Sequence, residues 1–315
     1  MRRCAAALLL VVAACGGSPE RGPWTTGAEL PTPRTELGVA ALAGRIYAVG
    51  GFTRDGKASA VVEVYDIAAD RWETPAPLPE PLHHAGVAAA GGRIYVVGGY
   101  RADNMPSAKV WSRTAADDSW RAEPDMPTPR GALAVAAADG AAALVHAVGG
   151  AGRFGAGARL TGAHEVYDAS ARRWSREPAL PDPRDHLSAA IAGSTLYVAG
   201  GRKLSLETNS SRFDVYDLET KRWSRGPDLP TARGGLAAAG GPAKVAVVGG
   251  EGPEGTFEEV EIYDEPAGKW SRAPDLPTPR HGLGAVVVGG KLYVIGGGPR
   301  PGLFVSSANE ILRIA

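Results

Sequence analysis

Four of the chain's six histidines fall in one repeated pair of positions, the two residues that follow a Pro-rich turn. The pairs read Thr35-Glu36, His83-His84, Gly131-Ala132, Asp185-His186, Gly234-Gly235 and His281-Gly282. A residue that varies within a repeated slot is free of the structural duty that keeps its neighbours constant. His83, His84, His186 and His281, with Glu36 and Asp185 beside them, are therefore the first candidates for chemistry. Imidazole nitrogens next to carboxylates suit Zn²⁺, Cu²⁺ or Fe²⁺. Protonated imidazoles instead suit an anion or polar ligand. Neutral ones bonded to neighbouring loops simply line a polar channel. The sequence leaves all three open and assigns neither a metal nor a cofactor.

Five turn arginines precede these slots: Arg34, Arg130, Arg184, Arg233 and Arg280, with Leu82 in the sixth place. They read either as a basic ring for a carboxylate or sugar acid or as recurrent donors to backbone carbonyls between units. Other motifs fail on context. Gly150-Ala151-Gly152-Arg153-Phe154-Gly155 matches G-x-G-x-x-G but leads into a strand around Val166-Tyr167 rather than a helix. The two cysteines are Cys4 and Cys15, both near the N-terminus, which leaves the rest of the chain without a disulfide or a thiol nucleophile.

The elements that must position these residues repeat with a period near 50. Gly pairs end an apolar run at Gly50-Gly51, Gly98-Gly99, Gly149-Gly150, Gly200-Gly201, Gly249-Gly250 and Gly296-Gly297. Tryptophan recurs at Trp24, Trp72, Trp120, Trp174, Trp223 and Trp270, and an apolar-Tyr-Asp step at Tyr65-Asp66, Tyr167-Asp168, Tyr216-Asp217 and Tyr263-Asp264. Each unit holds four short apolar stretches separated by turn residues, which predicts four antiparallel strands. Six such units make an all-β, six-bladed β-propeller. Six Gly pairs balance six tryptophans only if the N-terminal strand near Trp24 completes the last blade beside Ile311–Ile314, which removes an exposed edge.

This combination of Gly-Gly, Tyr-Asp and spaced Trp resembles the Kelch repeat over residues 24–315. The resemblance implies that the first strand of each blade lies nearest the axis. It also implies that ligands are met in the slot after the turn and just after the Gly pair, which adds Phe52, Tyr100, Arg202 and Glu251. Blades two, four and six, which carry the histidines, then alternate about 120° apart. Loops after the Gly pairs share one face with these slots; Ala151–Ala163 and Arg202–Arg212 are the longest, and long loops on a rigid scaffold carry function.

The N-terminus reads differently. Arg2 and Arg3 precede a short apolar run, Ala5–Ala14, too short to span a bilayer, so residues 1–14 read as a secretory signal. Val12-Ala13-Ala14-Cys15 resembles the lipobox of bacterial lipoproteins, which implies lipidation of Cys15, a linker over 15–23, and an exported chain anchored in the bacterial envelope. Gly16 after the cysteine favours the outer membrane by the same resemblance. The 34 basic and 34 acidic residues balance, with no basic stripe for nucleic acid.

The expected function is a non-catalytic, monomeric binding module for a protein, peptide or glycan, touching the membrane only through its lipid. Two alternatives stay open. One is a sugar-processing enzyme like the periplasmic sialic-acid mutarotases, with Glu36 paired to Arg280 or Arg34. The other is a structural envelope protein. A copper enzyme resembling galactose oxidase needs a cysteine that the propeller lacks.

Overall fold

The computed structural model describes residues 22–117, 119–139 and 143–314. The predicted leader, the lipidation site Cys15 and most of the 15–23 linker lie outside the described residues. Each repeat forms one four-stranded antiparallel sheet, six in all. Blade one runs Gly38–Leu42, Arg45–Val49, Val62–Asp66 and Arg71–Glu73, in that spatial order.

The first strands of the six blades, Gly38–Leu42, Gly86–Ala90, Ala134–Asp139, Ser188–Ala192, Ala237–Gly240 and Gly284–Val288, touch one another in a closed ring around the axis. Their Gly, Ala and Val content follows from crowding. A Cβ on Gly86 would sit 2.0 Å from Val135 Cγ2, and one on Gly284 would sit 2.0 Å from Val39 Cγ2. The second strands are more strongly apolar and nearly fully buried, and the six hydrophobic clusters lie between neighbouring blades.

Two of the repeated residue types join blade to blade. The indole N–H of every slot tryptophan donates to a carbonyl of the neighbouring blade's outer segment: Trp72 to Ala28, Trp120 to Ala76, Trp174 to Pro124, Trp223 to Pro178, Trp270 to Pro227 and Trp24 to Pro274, at 2.7–3.2 Å. The second glycine of each pair, at positive φ, donates its N–H to the turn residue of the next blade, from Gly51 to Leu82 through Gly297 to Arg34.

Ring closure is as the sequence predicts. Trp24–Thr26 is the fourth strand of blade six, with Trp24 opposite Leu312, Thr25 opposite Ile311 and Thr26 opposite Glu310.

The turn arginines are fully buried. Each pairs with a carboxylate on the third strand of its own blade: Arg34 with Glu63, Arg130 with Glu165, Arg184 with Asp214, Arg233 with Glu261 and Arg280 with Glu310, at 2.5–2.8 Å. Their guanidinium bonds to carbonyls stay inside the blade, as from Arg130 to Gly149 and Ala147. That corrects the expected bonding between blades, which falls instead to the arginine's own carbonyl. It also removes the basic ring from the list of ligand sites.

Candidate functional site

The slot after each turn has a fixed geometry in all six blades. Its first residue bridges the residue after the Gly pair of the same blade: Thr35 with Phe52, His83 with Tyr100, Gly131 with Ala151, Asp185 with Arg202, Gly234 with Glu251 and His281 with Gly298. The two sets of candidates therefore form cross-strand pairs, for a reason of backbone registry.

The second residue adopts the left-handed conformation in every blade, with φ of 54° at Glu36, 53° at His84, 50° at Ala132, 51° at His186, 65° at Gly235 and 55° at Gly282. This conformation lets the six residues hydrogen-bond in a closed ring. Each N–H donates to the carbonyl of the preceding blade's residue, from His84 to Glu36 around to Glu36 to Gly282, at 2.7–3.0 Å. The ring rims the central channel. Below it lies a cavity of about 130 Å³ walled by small residues such as Gly38, Gly86 and Ala134.

Three of the six ring residues carry polar side chains, and these lean over the small ones. His84 Nε2 stands 3.1 Å from His186 Nε2 and 3.1 Å from Glu36 Oε2. Glu36 Oε1 reaches His281 Nδ1 at 3.2 Å. A Cβ on Gly282 would lie 2.6 Å from both Cδ and Oε1 of Glu36, so glycine there makes room for the carboxylate.

Around this centre sits a layer of first-slot and loop residues. Asp185 Oδ2 accepts from His186 Nδ1 at 2.8 Å, and its Oδ1 accepts from the Leu204 N–H at 3.1 Å. His83 Nδ1 meets His84 Nδ1 at 2.7 Å. Glu251 faces His281 at 3.6 Å and takes Arg202 at 2.7 Å. Phe52 stacks on the His83 ring with centroids 4.0 Å apart, and the Tyr100 ring lies 5.4 Å away.

The electrostatics follow from burial and neighbours. Burial opposes ionisation of Glu36, yet the His84 and His281 imidazoles beside it hold its carboxyl well below the usual range. Burial drives His83 down to about 4 and His84 well below the ordinary imidazole value, against the opposing pull of Glu36. Burial acts on His281 too, but Glu36 and Glu251 outweigh it and raise its pKa. Asp185 is lowered despite burial, by its bond to His186.

All ten candidate ligand-binding residues thus converge on one end of the axis. Their arrangement differs from the expected threefold one. His84 and His186 meet across Ala132, while His281 occupies the first slot and reaches the pair only through Glu36. Arg34 and Arg280 are buried against Glu63 and Glu310, so neither can join Glu36 in the sugar-enzyme arrangement. The arginine present at the site is Arg202.

Phe154 was missed by the sequence reading. It packs 5.1 Å from both His83 and His84. It is the sole aromatic of the loop 151–163, and that was the available signal. Among the described residues two donor groups have metal-ligand spacing, Glu36-His84-His186 and Glu36-Glu251-His281, each with its atoms within 4.8 Å of one another.

Fold and site together define a six-bladed propeller that gathers variable polar residues at one axial mouth. Residues 33–79 and 81–127 match the Kelch motif, and residues 151–298 match the KLHDC2/KLHL20/DRC7 Kelch-repeats domain. The chain belongs to the Kelch-repeat β-propellers. Propellers of this kind are typically protein-interaction modules, in keeping with non-catalytic binding. No curated protein matches the chain.

Proposed function

We propose that this chain is a non-catalytic binding module, held outside the cytoplasm by a lipid on Cys15, that recognises a protein or peptide partner through the face bearing the polar cluster. One observation carries this reading. The large hydrophobic side chains that are exposed among the described residues are Met105, Leu204, Leu303 and Phe304. All four lie in loops that follow a Gly pair, in blades two, four and six, and so all crown the same face. Exposed apolar side chains on the same face as the polar cluster offer a partner both apolar and polar contacts there.

The loops that carry them rest on a rigid base. Leu204 is anchored by its N–H to Asp185, and Phe304 lies beside Arg300, whose guanidinium sits 5.7 Å from the ring centroid. Backbone order at such a surface lowers the entropic cost of association.

The test has two arms. Cys15→Ser should move the chain from membrane to soluble fractions or leave its precursor uncleaved. Replacing Leu204, Leu303 and Phe304 together by Ser should leave the melting temperature nearly unchanged, because exposed substitutions cost within about 0.5 kcal/mol each. The same variant should lose any partner that native protein retains by chemical cross-linking in the envelope. A partner retained by the triple variant would place recognition elsewhere.

A further inference from the structure

We propose that Glu36, His84 and His186 form a site for one divalent transition-metal ion of the Zn²⁺ class, above the mouth of the central channel. This goes beyond the docking reading and does not depend on it.

Geometry comes first. In a tetrahedral Zn²⁺ site with bonds near 2.0–2.1 Å, neighbouring donor atoms stand about 3.3 Å apart. Here His84 Nε2 lies 3.1 Å from His186 Nε2 and 3.1 Å from Glu36 Oε2. Two imidazoles and a carboxylate are a donor set that Zn²⁺ accepts, with a fourth position left for water or a ligand group.

Each donor is also oriented from behind, as metal ligands are. Asp185 accepts from His186 Nδ1–H, which leaves the Nε2 lone pair aimed at the centre. His84 Nδ1 lies 2.7 Å from His83 Nδ1, and the tautomer that donates from His84 Nδ1 to His83 leaves His84 Nε2 free to ligate. His281 holds the far oxygen of Glu36, and Glu251 with Arg202 backs His281. The ring Phe154 covers His83 and His84 from the loop side.

The backbone gives a further argument. The slot requires left-handed φ, where a non-glycine residue costs about 1–2 kcal/mol. Blades five and six fill it with glycine, blade three with Ala132, and blades one, two and four with the three donors. Strained positions of this kind cluster at ligand sites. The same three donors can alternatively share one proton on His84 Nε2, and the experiment separates proton from metal.

Full-length mature protein is stripped with a chelator and titrated with Zn²⁺ by calorimetry and with Co²⁺ by visible absorption. The expected result is one equivalent of either ion, a Co²⁺ spectrum of nitrogen and oxygen ligation, and a melting temperature raised by Zn²⁺. His84→Gly and His186→Gly should each weaken binding by at least about 100-fold, and Asp185→Asn by about 10–100-fold. Glycine already occupies this slot in two blades, so these variants keep the backbone conformation, which circular dichroism checks. The Co²⁺ spectrum of the native chain decides even if a variant misfolds. Absence of Zn²⁺ and Co²⁺ uptake by the native chain would overturn the proposal, as would stoichiometric uptake retained by His84→Gly/His186→Gly.

Discussion

At the scale of the residue, the molecule contains its own comparison of a buried ion pair with an apolar one. Five blades bury an arginine against a carboxylate, while blade two has Leu82 and Trp111 in the two corresponding places, packed in the same apolar cluster. Removing one member of a buried pair leaves an uncompensated charge and costs about 3–5 kcal/mol, whereas an apolar replacement of both can be nearly neutral. Arg130→Leu should therefore destabilise the chain by that amount in urea unfolding. Adding Glu165→Trp should recover at least about 1 kcal/mol of it, a coupling that a double-mutant cycle reads. A double variant as unstable as the sum of the two singles would contradict the equivalence of the two solutions. The recurrence of these arginines was legible in the sequence. Their destination was not, because the acceptor is a third-strand carboxylate 28 to 35 residues away that is Glu in four blades and Asp in the other.

At the scale of the element, the slot after the turn explains how much of the site could be read in advance. Gly235 and Gly282 in the same column as Glu36, His84 and His186 were a sign of left-handed backbone, and the columns of variable residues did mark the right end of the propeller. Which of two adjacent histidines leans over the axis was not legible, since that depends on the φ of the second position and on the bridge made by the first. Blade three shows a different departure from the repeat. His146 stands where blades one, two, four and six have tyrosine and His164 where blades one, two and five have valine, and the two rings meet at 3.0 Å inside the blade interface. Burial lowers His146 to about 4 and His164 to about 3. The folded values lie below the unfolded value near 6.5, so the unfolded chain binds protons first as pH falls. Stability is thus complete above about pH 6.5 and declines toward pH 4, by up to about 1.4 kcal/mol per pH unit for each histidine. His83 adds to the same slope. Urea unfolding at pH 7 and pH 5 should show a smaller loss in His146→Tyr/His164→Val than in the native chain; an equal loss would mean that the pair is already protonated when folded.

At the scale of the whole molecule, the fold was legible because every repeat spends the same residues on the same contacts. The six tryptophans and six Gly pairs could be counted, and the count closed only with the N-terminal strand in the last blade. What the count did not show is that both sets also tie each blade to the next. Trp24 is the place where the two roles coincide, since it pairs with Leu312 and donates to Pro274 of blade five. It is nearly fully buried, and truncating such a tryptophan costs about 3–5 kcal/mol. Trp24→Ala should lose that much in urea unfolding, as a closure residue must; a loss under about 1 kcal/mol would mean that the ring holds without it.

The closed ring leaves two faces, and the central claim is that recognition belongs to the one bearing the cluster. Photo-cross-linking in living cells tests it most directly. A photoreactive residue is placed at Leu204 or Phe304 on that face, and at Lys291, exposed at the opposite end of the second strand of blade six. The account expects a discrete cross-linked product from Leu204 and Phe304 and none from Lys291. A product from Lys291 alone would contradict it.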